Sequence, residues 1–135
     1  ELQAAMLRVK LGYLDEENSR RRDVAALYAQ GLASTDLVLP TEAEDICHVY
    51  HQYVIQTPRR DLLKTSLAAH GVETLIHYPV PVHLQPAYVG RLGNPALLQT
   101  ERVCREILSL PMHPYLERQD VCTISALITE FFEGA

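Results

Sequence analysis

The chain has 135 residues, which suits one domain, and its 47% of apolar residues suffice for a real core. With 21% charged residues it is not a composition for wholesale disorder, and a formal charge of −5 excludes the basic face that a nucleic-acid backbone requires. No apolar run approaches the ~20 residues of a membrane span and no stretch reads as a signal peptide, so the expectation is a cytoplasmic protein without a membrane or nucleic-acid partner.

From Glu1 the chain is helical in propensity, with no Ser, Thr, Asp or Asn ahead of it as a cap. The chain therefore reads as starting inside, or at the edge of, a helix of a longer protein. One apolar line is Leu2, Met6, Val9 and Tyr13; a second is Leu7, Leu11 and Leu14. An arc that wide packs on two sides, and one small sheet cannot cover it, so self-association through this helix is expected. The pattern carries past Gly12 to about Leu32, with Val24, Leu27 and Tyr28 on one face and Gly31 as the stop.

Leu37–Pro40 is a short extended piece, followed by an acidic loop from Glu42 to Asp45. Cys47 to Thr57 reads as the clearest strand, with Val49, His51, Tyr53 and Ile55 on one face. Thr57-Pro58 opens a helix through Leu63 and Leu67 that stops at Gly71. Val72 to Tyr78 is a second strand. Pro79, Pro81 and Pro86 then deny the chain regular structure. A helix over Ala96–Glu106, a strand over Ile107–Leu110 ended by Pro111, and a helix over Glu117–Phe132 complete the order, the last with Val121, Ile124, Ile128 and Phe131 or Phe132 inward. The expected fold is α+β: a small, mostly antiparallel sheet packed with helices.

Six histidines invite a metal reading, but the residues carry no H-E-x-x-H and no Cys/His cluster, and His48 and His51 would point to opposite faces of a strand. The cysteines, Cys47, Cys104 and Cys122, are odd in number, share no C-x-x-C spacing, and read as small buried apolar groups in a reducing compartment. The runs Arg20–Arg22 and Arg59–Arg60 read as solvated helix surface. The segment His77-Tyr78-Pro79-Val80-Pro81-Val82-His83 is different. It leaves a strand, is stiffened by two prolines, and displays two imidazoles and a phenol. The residues alone leave two readings open: binding groups on a scaffolded loop, or a surface loop with incidental histidines.

Four stretches resemble the DegT/DnrJ/EryC1/StrS family of sugar aminotransferases. They are Glu1–Ala5, His48–Ile55, Gly71–Tyr88 and Leu108–Pro114; they fall in family order and span essentially the whole chain. The resemblance implies that residues 1–135 are the C-terminal small domain of an aspartate-aminotransferase-fold (fold type I) enzyme whose large, cofactor-binding domain lies upstream. It implies pyridoxal phosphate as cofactor and a homodimer. The implied reaction transfers an amino group from glutamate to a keto nucleotide sugar for cell-surface polysaccharides or antibiotics, the 3-keto position favoured over the 4-keto. It places His77, Tyr78 and His83 near substrate and cofactor. It also implies that the Schiff-base lysine lies upstream, since Lys10 and Lys64 match no such position. No catalytic residue is therefore expected in this chain, which by itself would be inactive. The alternatives are a non-catalytic interaction or regulatory module, and a dehydratase relative, of the same family.

Overall fold

Helix α1 spans Leu2–Leu11 and helix α2 spans Leu14–Gly31, two helices where the apolar pattern predicts one. The break falls at Gly12–Tyr13. There the Gly12 and Tyr13 N–H groups bond back three residues, to Val9 at 3.3 Å and Lys10 at 3.0 Å, so the chain tightens out of the α-helical repeat. Glycine's low helix propensity locates the break, and Asp15, Glu16 and Glu17 in the new first turn favour a fresh N-terminus. The computed structural model describes residues 1–91, Gly93 and residues 96–134.

Gly31 does not end α2 as a left-handed cap. It is the last residue of α2, still right-handed, at the point where α5 (Arg118–Glu133) passes, and a Cβ there would stand 2.8 Å from Cβ and Oγ of Ser125. Helix α3 (Arg60–Ala69) starts after Thr57, whose Oγ1 accepts the Arg59 N–H at 3.2 Å. It ends in a Schellman motif. The Val72 N–H reaches the Leu67 carbonyl and the Gly71 N–H reaches that of Ala68, both at 3.0 Å, with Gly71 at φ +76°. Gly71 is thus the stop that the sequence signals.

The sheet has two hydrogen-bonded strands, β1 (Tyr53–Gln56) and β2 (Ile107–Leu110), antiparallel with Tyr53 opposite Leu110 and Ile55 opposite Leu108. Single antiparallel bridges extend it on both edges, Val38 to Gln56 and Leu75 to Ser109. The expected strand from Cys47 is therefore only four residues long, and that over Val72–Tyr78 is reduced to one bridge. The third helix region narrows to α4 (Leu98–Glu106). The class is the expected α+β, with an antiparallel sheet among helices.

Tyr53, Ile55, Leu108 and Leu110 share one sheet face and join Val24, Tyr28 and Leu32 of the α2 region, Leu63 and Leu67 of α3, and Val121, Ile124 and Ile128 of α5 in one core. Phe131 and Phe132 are half-buried at its edge, under the Arg59 guanidinium, which stands 4.3 Å from the Phe131 ring centroid. Arg60 is buried and donates to the Cys104 and Ile107 carbonyls, closing the end of α4. Helix α1 buries none of its residues. Cys47 and Cys122 are exposed and Cys104 half-buried, against the expectation of buried thiols. No helix among the described residues is long and apolar enough to cross a membrane.

Candidate functional site

Leu75 pairs with Ser109 across the β2 edge, and each donates its N–H to the other, at 3.2 and 2.8 Å. Side chains on a strand alternate, so Ser109 points away from Leu108 and Leu110. His77, two residues beyond Leu75, returns to the same side, and its Nδ1 lies 2.9 Å from Ser109 Oγ. Imidazole and hydroxyl stand in a cleft of about 280 Å³ lined also by His51, Gln52, Glu73, Leu75, Leu110, Pro111 and Met112.

The cleft thus offers hydrogen-bond donors and acceptors on a partly apolar wall. Hydroxyl-bearing rings present both kinds of surface to a site. Its lining contains neither lysine nor arginine, so it has no fixed cation for a phosphate and no amine for an imine. Lys10 and Lys64 lie on α1 and α3. Among the described residues, no His, Cys, Asp or Glu side chains group to hold a metal ion.

The loop residues separate. His77 lines the cleft. Tyr78 is 70% exposed, with its ring edge-on to that of His77 at 5.7 Å between centroids. His83 is buried within the 3₁₀ turn Val82–Leu84, its Nε2 3.3 Å from Glu101 Oε1 of α4, and it does not line the cleft. The Glu101 carboxylate ties the proline-rich loop to α4 through this contact.

Strand alternation misses His51, which it assigns to the core face with Tyr53; it sets Gln52 on the opposite face without marking it as a site residue. Glu73, Ser109 and Met112 carry no motif of their own. One signal does point to them. Three of the stretches that carry the family resemblance, His48–Ile55, Gly71–Tyr88 and Leu108–Pro114, each contribute to this one cleft.

The arginine run on α2 is also more than solvated surface. Arg20 pairs with Glu16 at 2.6 Å, Arg21 donates to the Met112 carbonyl at 3.3 Å, and Arg22 reaches Glu42 at 3.0 Å.

The pattern of the DegT/DnrJ/EryC1/StrS aminotransferase family matches residues 1–129. The chain is 44% identical over 135 residues to a dTDP-3-amino-3,4,6-trideoxy-alpha-D-glucose transaminase of Streptomyces venezuelae, covering 98% of this chain and 36% of that one. It is 41% identical over 137 residues to a pleiotropic regulatory protein of Geobacillus stearothermophilus, covering 98% of this chain and 37% of that one. Among solved structures it superposes on S. venezuelae DesV, determined with a ketimine intermediate, with a TM-score of 0.90 and 43% identity over 97% of this chain and 36% of that one. The chain spans about a third of the length of these relatives, and the part it matches is their C-terminal third.

Proposed function

Because the chain belongs to the DegT/DnrJ/EryC1/StrS aminotransferase family, we propose that residues 1–135 act as the C-terminal small domain of a pyridoxal-phosphate-dependent sugar aminotransferase. The whole protein moves an amino group from glutamate to a keto nucleotide sugar, preferring the 3-keto position, and works as a homodimer in the cytoplasm. The observation that carries the reading is the cleft, where His77 is held on Ser109 at 2.9 Å beside His51, Gln52 and Glu73. Similarity to a 3-amino-sugar transaminase supports the 3-keto preference.

The cofactor does not fit the residues of this chain alone, since the cleft lining has no lysine or arginine. The proposal assigns the imine-forming amine and the phosphate cradle to the part of the protein outside these residues. Here the chain's own task is orientation. His77, bonded through Nδ1 to Ser109, leaves Nε2 for a sugar hydroxyl or keto oxygen, and Gln52 and Glu73 add further polar groups. Such contacts raise turnover when they strengthen in the transition state. Tyr78 stands exposed beside His77 to meet whatever closes over the cleft, and His83 holds the loop that carries both.

The test is to express the full-length protein, record its absorbance for bound cofactor, and assay 3-keto and 4-keto nucleotide sugars with glutamate. The reading expects turnover, faster on the 3-keto sugar. The 135-residue chain alone is expected to trap no stoichiometric cofactor with borohydride at a single site. Absence of both cofactor and turnover in the full-length protein would turn the reading to its alternative, a regulatory member, which the similarity to the pleiotropic regulatory protein supports.

A further inference from the structure

We propose that Arg22 is a positioning residue for the cleft, clamping the segment 42–50 so that His51 and Gln52 stand at its wall. A strand running unbroken from Cys47 would put His51 on the face of Tyr53, inside the core. Instead Tyr50 adopts φ +46°, in the left-handed region that an aromatic residue enters only at a cost. The alternation breaks there, and His51 is exposed and lines the cleft.

That conformation is held by a chain of contacts. The Tyr50 N–H donates to His48 Nδ1 at 2.9 Å, the two rings lie 4.3 Å apart, and the Tyr50 ring stacks on Tyr53 at 6.2 Å. His48 is fixed in turn through both of its backbone polar groups. Its N–H donates to Glu42 Oε1 at 2.8 Å, and its carbonyl accepts from Arg22 Nη1 at 3.1 Å. The same Arg22 nitrogen lies 3.0 Å from Glu42 Oε1 and 3.0 Å from Cys47 Sγ, so three acceptors share its two protons. The His48 N–H, followed by the Arg22 guanidinium, holds the Glu42 carboxyl below its ordinary range. Asp45, at φ +63°, turns the backbone between Glu42 and His48.

Arg22 hangs from α2, whose Val24, Ala25 and Tyr28 are in the core. The clamp therefore refers the cleft wall to a rigid element. The Arg22 and Glu42 side chains remain 40% and 28% exposed, and pairs that exposed contribute little to global stability. Placement of the loop is what the clamp has left to do. The effect on turnover rests on the transaminase reading; the effect on the loop does not.

The test uses the full-length protein and two pairs of variants, Arg22→Gln with Arg22→Lys and His48→Leu with His48→Asn. Asparagine keeps an acceptor for the Tyr50 N–H and lysine keeps a cation for the Glu42 carboxylate. Amide exchange of residues 46–52 is expected to rise ~10-fold in Arg22→Gln and His48→Leu, with exchange in α5 unchanged. KM for the keto sugar is expected to rise about 10-fold while kcat holds within about 2-fold, and Arg22→Lys and His48→Asn recover most of both. Unchanged exchange at 46–52 in both disruptive variants overturns the proposal, as does a lowered Tm with KM intact. If the wild-type protein turns over no keto sugar, the transaminase reading fails by itself. The exchange data then decide the clamp alone, a rescued rise sustaining it and no rise overturning it.

Discussion

His77 and Ser109 stand 32 residues apart in the chain, yet His77 Nδ1 lies 2.9 Å from Ser109 Oγ. The Leu75–Ser109 bridge makes the contact, because it sets the segment around Leu75 against β2 in a register where His77 reaches back diagonally to the hydroxyl. The hydroxyl fixes which imidazole nitrogen is left to face the cleft. In the full-length protein His77→Ala is expected to lower kcat by ~10²–10³ with little change in Tm, and Ser109→Ala to lower it by a smaller factor. His83→Ala is expected to do the reverse. It removes a buried ring and leaves Glu101 without that partner, so it should cost about 1–3 kcal/mol. Paired kcat and Tm measurements on the three variants check the pattern, and a stable His77→Ala protein with wild-type kcat/KM would remove His77 from the site.

Tyr53 is 1% exposed and sits between Tyr28, at 5.0 Å between ring centroids, and Tyr50. Its hydroxyl is buried and finds no hydrogen-bond partner among the described residues. The ring and the hydroxyl should then act in opposite directions. Tyr53→Ala is expected to cost ~3–5 kcal/mol through the cavity it leaves. Tyr53→Phe is expected to be neutral or stabilising by up to about 1 kcal/mol, since it deletes a desolvated polar group. Denaturant unfolding of both variants measures this, and a large loss in Tyr53→Phe would show a hydrogen bond that the structure lacks.

Burial pushes the Tyr53 phenol up to about 12, and raises that of Tyr28 further. Tyr28 also donates its hydroxyl to the Pro111 carbonyl at 3.0 Å. Both groups are neutral acids whose folded values lie above the ordinary 10.0. The folded state therefore keeps protons that the unfolded chain gives up. Their contribution is complete below pH 10 and lost as pH rises from there through 12. Absorbance of tyrosinate followed alongside circular dichroism should show ionisation of these two only as the fold opens. Full ionisation of all seven tyrosines before any loss of structure would contradict the burial.

Gly31 closes the last turn of α2, where alanine in place of glycine would normally stabilise the helix by up to about 1 kcal/mol. Here the added Cβ meets Ser125 Cβ and Oγ at 2.8 Å. Ser125 is itself buried, so α2 and α5 must move apart, a strain of about 1–3 kcal/mol. Gly31→Ala is expected to lower Tm, and Ser125→Gly in the same chain to restore it. A higher Tm in Gly31→Ala alone would mean that the helices do not approach as described.

On α1, Leu2, Met6, Leu7, Val9 and Leu11 are each at least 59% exposed. The isolated 135-residue chain is expected to self-associate through them. Sedimentation should show the association weakened by Leu7→Glu with Tm unchanged. A strict monomer at high concentration, or a lowered Tm, would show that these side chains are covered within the chain.

Local signals in the sequence determined much of this protein. The Gly71 stop of α3 lies in its left-handed residue, the end of β2 lies at Pro111, and the inward face of α5 lies in the spacing of Val121, Ile124 and Ile128. Each is a property of residues a few positions apart, where propensity and periodicity act directly. The family itself was legible in four stretches of sequence. Tertiary structure decided the rest. His83 and His77 are alike in the sequence, six residues apart on one stiffened loop, but Glu101 takes one ring into the interior and Ser109 holds the other at the cleft. The alternation that places His51 in the core fails because Arg22, 26 residues from the His48 carbonyl it binds, helps to hold a turn that ends the strand at Tyr53. A strand's period is set by backbone geometry, but where the strand stops depends on partners distant in sequence, and those partners placed the residues of the cleft.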